Sequence, residues 1–171
     1  MKSQLKTASI IFCIMLITNF AKGREVTFSG SWKLIQRTSL TGKDYFNGIP
    51  KSITVNETGN KLTISRATNI ATPDDVGNTA SETLTHDGKP STNQTAVKKT
   101  RISVIDPGPD KLNFTEKTTI ADPAEQNKIL FSISKSRTLS VDGKSLTITR
   151  SFASATDPND KWSMKGVYQK Q

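Results

Sequence analysis

The sequence predicts an all-β fold in which about 8–10 antiparallel strands form an up-and-down meander closed into a barrel. From Phe28 onward, apolar and polar residues alternate with period two, and helical periodicity is scarce. Ser and Thr supply 37 of the 148 residues after position 23, with β-branched residues at alternate positions. Because the turn signals between strands are short, no segment is left for a crossover helix, and the pairing should be antiparallel throughout.

The first 23 residues differ from the rest and predict a secretory signal peptide. Two lysines begin the segment, an apolar run follows over 8–20, and Ala21-Lys22-Gly23 ends it with small residues. The apolar run is about 13 residues long, whereas a membrane-spanning helix needs about 20. We therefore expect cleavage near Gly23, a secreted or periplasmic protein with no transmembrane segment in its mature chain, and one domain over 24–171.

Two hairpins define the clearest strands. In the first, alternating residues on both sides of Gly59-Asn60 predict a tight antiparallel pair. In the second, Asp142-Gly143 separates two alternating segments, and this dipeptide suits the positive φ angles of a type I′ turn. Residues whose numbers sum to 285 then face each other, which places Leu139 opposite Leu146 and the apolar side chains on one face.

The remaining strands follow from the same signals, and a sheet of that length closes on itself to remove its exposed edges. The nine predicted strands lie at approximately 30–40, 50–57, 61–68, 80–86, 95–105, 111–119, 128–141, 144–154 and 161–169.

Connections alternate between the two ends of such a barrel. With nine strands, the 41–50, 69–79 and 106–110 loops share one end with the Asp142-Gly143 turn. Tyr45 and Phe46, which lie in the first of these loops, are predicted either to form a lid over a ligand-binding mouth or to pack onto the barrel rim.

Several short motifs resemble those of one family. A Gly-x-Trp motif, Gly30-Ser31-Trp32, opens the first strand and resembles the signature of lipocalins. Together with the hairpin motifs and the closing Val167-Tyr168-Gln169-Lys170, it makes most of the chain similar to small secreted lipocalin-like proteins of bacteria, which have calycin-type β-barrels. The resemblance implies a cavity for a small apolar molecule, and a cation, Lys161 or Lys165, packed on Trp32.

Four cations occur in phase with the apolar residues. Lys135 and Arg137 share a face with Leu139. In the next strand Arg150 shares a face with Ile148, and Arg66 lies on the apolar face near the end of the third strand. Cations on one face of adjacent strands repel one another unless an anion or a carboxylate lies among them. They predict an anion clamp for the head group of a fatty acid or a similar amphiphile.

The tail of such a ligand would lie among Phe114, Phe131 and Phe152. Two alternatives need no ligand. A β-bulge near residues 134–137 would turn the cations outward, or Glu116 would neutralise Arg150 inside the barrel.

Composition argues against most other functions. The single Cys lies in the leader, and the single His, His86, borders a turn, so thiol catalysis, a His-rich metal site and a multi-His catalytic centre are excluded. Glu82 and Glu116 are the only acids suited to acid–base work. We expect no enzyme activity, no catalytic residues, no cofactor and no metal.

The positive charge does not indicate a nucleic-acid site. Removing the leader lowers the net charge from +9 to +6. The densest basic run, 98–101, has no aromatic residue interleaved for stacking. Alternation predicts that Lys99 and Arg101 face solvent, opposite Ile102 and Val104.

These observations favour a secreted or periplasmic, non-enzymatic protein that binds a small hydrophobic or amphiphilic ligand in its barrel. The alternative is a ligand-free barrel that acts as a structural or protein-interaction module of the cell envelope.

Overall fold

The structure is a computed structural model that describes residues 26–45, 48–67, 81–95 and 97–171. The predicted leader, Phe46 and the 69–79 loop lie outside the described residues.

Within the described residues, ten strands make up almost all of the regular structure, with one 3₁₀ turn over Pro123–Glu125. The strands are β1 (Gly30–Thr41), β2 (Ser52–Thr58), β3 (Lys61–Ala67), β4 (Ser81–Thr85), β5 (Ser91–Gln94), β6 (Thr100–Pro107), β7 (Asn113–Asp122), β8 (Lys128–Leu139), β9 (Ser145–Ser154) and β10 (Lys161–Lys170).

The strands form one antiparallel sheet in the order β4-β3-β2-β1-β10-β9-β8-β7-β6-β5. Each strand pairs with its neighbour in the chain except β4 with β5, and β1 pairs with β10 to close the meander. The result is a nearly closed barrel, so the predicted all-β up-and-down fold is confirmed. Its two edge strands are β4 and β5, which no ladder joins within the described residues, and we call this gap the seam.

The hairpin register predicted for β8 and β9 is correct, because Leu139 pairs with Leu146. The predicted turn type is wrong. Gly143 has a φ of 68°, but Asp142 is not in the left-handed region that a type I′ turn requires. Instead the Asp142 carboxylate accepts hydrogen bonds from the Ser140 hydroxyl at 2.6 Å and the Lys144 amide at 3.0 Å, which closes a longer loop.

The predicted strand list lacks β5, which is four polar residues long and carries no apolar alternation. Because of this omission, every later connection lies at the end of the barrel opposite to the predicted one. The 108–112 and 140–144 connections therefore lie at the end where β1 begins, which we call the N-terminal end, and the 42–51 loop lies at the opposite end.

The prediction of which β6 side chains face the barrel interior is also wrong. Arg101 and Ser103 are buried, each 1% exposed, whereas Ile102 is 38% exposed. Apolar residues occur on both faces of this strand, so its own pattern does not fix which face turns inward.

Trp32 fills the interior close to the N-terminal end and is fully buried. Its indole Nε1 donates a hydrogen bond to the Phe28 carbonyl at 2.9 Å, which satisfies the buried donor. The ammonium of Lys170 lies 5.1 Å from the ring centroid. The cation that packs on this Trp is therefore Lys170, and not Lys161 or Lys165, which are both exposed.

Residues 48–50 fold into the opposite end of the barrel. Ile49 belongs to the core, and the Tyr168 hydroxyl donates to the Pro50 carbonyl at 2.8 Å. Ile49 fits because Gly166 has no side chain, since a Cβ there would lie 2.6 Å from Ile49 Cγ2 and 3.0 Å from Leu34 Cδ1.

We expect Gly166→Ala to lower the free energy of unfolding by about 1–3 kcal/mol, because the new methyl group overpacks a full core. Urea denaturation measures the loss. In an Ile49→Ala background the same change should cost much less, since the clashing methyl group is gone. An equal cost in both backgrounds would show that Ile49 is not the obstacle.

Candidate functional site

Five charged side chains meet inside the barrel and form what we call the interior ion cluster. Its members are all at most 5% exposed: Glu82 on β4, Arg101 on β6, Glu116 on β7, and Lys135 and Arg137 on β8. They point inward because each occupies an inner position of the strand alternation. Burying charges is costly unless they are paired and hydrogen-bonded.

Glu116 is the centre of this cluster. Arg101 Nη2 donates to Glu116 Oε1 at 2.7 Å, and Lys135 Nζ donates to the same oxygen at 3.2 Å. Arg137 Nη2 donates to Oε2 at 3.0 Å, and the Thr118 hydroxyl donates to Oε1 at 2.9 Å. One fully buried carboxylate on β7 thus binds three cations from β6 and β8, the strands on either side of it.

Glu82 extends the cluster across the seam of the barrel. It is hydrogen-bonded to Arg101, and its Oε1 lies 3.3 Å from Lys135 Nζ and 3.8 Å from Arg137 Nη2. Glu82 is on β4 and Arg101 is on β6, so side chains join the sheet where the edge strands form no ladder.

Both carboxyl groups have a pKa below the ordinary value. Burial alone would raise the pKa of Glu116, but the charges of Lys135, Arg137 and Arg101 outweigh it. For Glu82, burial and the neighbouring Glu116 raise the pKa, and the same three cations overcome both effects. Both groups are therefore anionic at neutral pH.

The predicted clamp residues all lie along the barrel interior, but two of the four, Lys135 and Arg137, bind protein carboxylates. The predicted bulge at 134–137 is absent, because β8 pairs with β9 without a register shift and Lys135 faces Arg150. The predicted neutralisation involves the right acid and the wrong cation, since Glu116 binds Lys135, Arg137 and Arg101. Arg150 instead donates to the Gly48 carbonyl at 3.0 Å and lies 5.3 Å from the Trp162 ring.

The predicted apolar lining is divided between the two ends of the barrel. At the opposite end, Phe152 stacks on Trp162 at 5.7 Å and Phe131 lies 5.3 Å from Phe152. At the N-terminal end, Phe114 packs edge-on against Phe28 at 4.9 Å. These three Phe residues therefore do not line one chamber.

Tyr45 lies at the opposite end, where its ring is 5.3 Å from Trp162. This is the rim packing that was one of its two predicted roles. Asp44, the residue before Tyr45, forms a bidentate ion pair with Arg37 at 2.8 and 2.9 Å.

Two cavities stand out among the described residues. An inner cavity of about 30 Å³ borders the ion cluster and is lined by Arg66, Glu82, Lys135, Arg137, Arg150 and isoleucine side chains. A cleft of about 920 Å³ opens at the N-terminal end, and we call it the N-terminal cleft.

The N-terminal cleft has an aromatic floor and a polar wall. Phe28 and Phe114 lie at its base, and His86 packs edge-on against Phe114 at 5.4 Å. Glu57 Oε1 lies 3.9 Å from His86 Nε2, and the other carboxylate oxygen accepts a hydrogen bond from the Phe28 amide at 2.9 Å. Lys111 is part of the same lining.

The sequence analysis did not predict this cleft. Because β5 is missing from the predicted strands, the loops that form the cleft were placed at different ends of the barrel.

The described residues contain no group of three His, Cys, Asp or Glu side chains placed to hold a metal ion. Within the same residues, no helix combines the length and apolar character needed to cross a membrane. Comparison with known proteins gave no matching family model and no significant match among curated sequences.

We expect Glu116→Gln to reduce the free energy of unfolding by about 3–5 kcal/mol, because it leaves buried cations without their main counter-charge. Glu125→Gln serves as the control, since Glu125 forms an exposed pair with Lys128, and it should change stability by less than about 0.5 kcal/mol. Adding Lys135→Met to Glu116→Gln should recover part of the loss in urea denaturation. Similar losses for both single variants would contradict the central role of Glu116.

Stability should fall as pH decreases below about 4.5, the ordinary pKa of Glu. Glu82 and Glu116 have lowered pKa values in the folded protein, so the unfolded chain takes up protons first and is favoured at acid pH. Their contribution is complete above that pH. Urea midpoints measured from pH 7 to pH 2.5 should decline less steeply for Glu116→Gln than for the wild type, and parallel curves would exclude this carboxyl group as a source of the acid sensitivity.

Proposed function

We propose that this protein is a secreted or periplasmic, non-enzymatic binding protein that takes a small hydrophobic or amphiphilic ligand in the N-terminal cleft. The leader in the sequence supports the compartment. The observation that carries the proposed binding function is the cleft itself, which combines buried aromatic side chains with a few polar groups. Small-molecule sites commonly occupy about 300–1,000 Å³ and have this mixed lining.

The position of this site differs from the one expected from the sequence. A fatty acid inside the barrel would need several hundred Å³. The cavity beside the predicted clamp is about 30 Å³, and Glu82 and Glu116 already occupy the positions of an anionic head group. The ligand is therefore proposed to bind at the end of the barrel, with its apolar part on Phe28 and Phe114 and an anionic group, where present, near Lys111.

The second candidate is a ligand-free barrel that acts as a structural or interaction module of the envelope. The filled interior favours this second candidate. Side chains and the ion cluster take the space in which a protein that binds its ligand inside the barrel would hold that ligand. The two candidates differ in whether the N-terminal cleft binds a small molecule.

Native mass spectrometry of the protein purified from its own source, followed by lipid extraction, should reveal a co-purifying small molecule. A fluorescent fatty acid serves as the defined probe for titration. The proposal predicts saturable binding of about one probe per chain. Absence of both a co-purifying molecule and probe binding would leave the envelope module as the better interpretation.

A pair of matched variants locates the site. Asn60 lines the cleft, so Asn60→Trp should obstruct part of it and weaken probe binding. Asn56→Trp makes the same change at an exposed position of β2 outside the cleft and should leave the affinity unchanged. Lys111→Ala should weaken binding of the anionic probe about three- to fivefold. Equal affinity in Asn60→Trp and Asn56→Trp would place the ligand elsewhere.

A further inference from the structure

One side of the barrel carries positive charge and no carboxylate on its outer surface. This side, which we call the outer wall, consists of the outward-facing residues of six adjacent strands, β3, β2, β1, β10, β9 and β8. The only acidic residue within these strands is Glu57, which lines the N-terminal cleft instead. The surfaces of soluble proteins usually mix both signs of charge. Six strands without an outward carboxylate therefore indicate a surface that faces anions.

Three lysines lie near the middle of the outer wall. Lys33 on β1 and Lys161 and Lys165 on β10 are exposed, and none of them forms an ion pair within the described residues. Lys161 and Lys165 are four residues apart, and Lys33 lies opposite Gln169, which is four residues further along β10. Four residues of an extended strand span about 13 Å. The lysines thus form a line along the β1–β10 boundary.

The carboxylates closest to this line along the chain do not lie among the lysines. Asp44 is held in a bidentate ion pair with Arg37 at 2.8 and 2.9 Å. Asp157 and Asp160 belong to the connection between β9 and β10, beyond the ends of both strands. In that connection the Asp157 carboxylate accepts a hydrogen bond from the Asn159 amide at 2.9 Å. The outer wall therefore keeps a net positive charge.

Hydroxyl groups occupy much of the outer wall beside the lysines. Ser134 lies opposite Ser151, whose hydroxyl oxygen is 3.0 Å from that of Ser163. On the same face, Thr149 lies opposite Lys165. Each hydroxyl has one donor and two acceptor positions, so one bond to a neighbour leaves capacity for another partner. The surface around the lysines therefore suits a partner that is itself rich in hydroxyl groups.

We infer that the outer wall binds an acidic polysaccharide, a sugar chain that carries carboxylate groups, along the β1–β10 boundary. The lysines would pair with its carboxylates, and the Ser and Thr side chains would exchange hydrogen bonds with its hydroxyls. The outward positions of the six strands include no aromatic side chain on which bases could stack. The choice of a polysaccharide over duplex nucleic acid rests on the export assumed in the proposed function, whereas the surface itself is separate from the N-terminal cleft.

The first test titrates the wild-type protein with polygalacturonate and, as a matched uncharged polymer, with dextran. Isothermal titration calorimetry should show saturable binding of polygalacturonate in 50 mM sodium chloride and no binding of dextran. Binding should be about tenfold weaker in 200 mM salt, because salt screens the lysine–carboxylate contacts and opposes counterion release. Absence of polygalacturonate binding in 50 mM salt overturns the inference. The result does not depend on fatty-acid binding in the cleft, so the two proposals can fail separately.

Two triple variants assign the binding to the outer wall. Replacing Lys33, Lys161 and Lys165 by Gln should weaken polygalacturonate binding at least about tenfold in 50 mM salt. The control variant lowers the net charge equally at exposed lysines outside the outer wall: Lys89→Gln, Lys98→Gln and Lys144→Gln. It should change the affinity less than about twofold. Equal weakening in both variants would mean that only the overall charge matters, and the inference would be wrong.

Competition and one further variant separate a polysaccharide from other polyanions. Duplex DNA and phosphatidylglycerol vesicles, each at the same concentration of negative charge, should bind at least about tenfold more weakly than polygalacturonate. Thr149→Val replaces an outward hydroxyl by a methyl group and should weaken polygalacturonate binding about two- to threefold. If DNA or vesicles bind as tightly as polygalacturonate, or if Thr149→Val binds it like the wild type, the choice of a polysaccharide is overturned.

Discussion

The buried carboxylate of Glu116, surrounded by Arg101, Lys135 and Arg137, is the interaction on which the rest of this barrel depends. Removing charges from water costs several kcal/mol per ion, so such a cluster persists only when its geometry satisfies most of its donors and acceptors. The two oxygens of Glu116 accept four hydrogen bonds here. The cost of burial is thereby offset, and strands β6, β7 and β8 are fixed in one register.

The same cluster explains how the barrel closes without a complete hydrogen-bonded ladder. The edge strands β4 and β5 are five and four residues long, too short to form an extended pairing across the seam. Glu82 reaches over this gap to Arg101, so a buried ion pair joins strands that do not share backbone hydrogen bonds. Short edges also limit the unpaired backbone offered to other chains.

The parts of the fold that could be predicted are those where local pattern and turn chemistry agree. In β8 and β9, one face is apolar, the other is Ser and Thr, and the Asp-Gly turn fixes the register, so the Lys135–Arg150 pairing followed from residue numbers alone. In β6 the local pattern is ambiguous, because Ile102 and Val104 lie on one face and Ile105 on the other. Arg101 turns inward because two buried carboxylates on neighbouring strands need a further cation, which is a tertiary requirement that a single strand does not encode.

A signal for that requirement was nevertheless present. Glu82 and Glu116 both lie in phase with apolar residues, as do Lys135 and Arg137, and carboxylates buried among cations favour mutual pairing over an external ligand. This pairing makes the interior a structural ion cluster. A lipocalin-like barrel is expected to bind in its lumen, but here the lumen is occupied by the side chains that hold it together. The binding site that we propose for a small-molecule ligand therefore lies outside the filled barrel, where the loops and the N-terminal residues extend over the aromatic pair of Phe28 and Phe114.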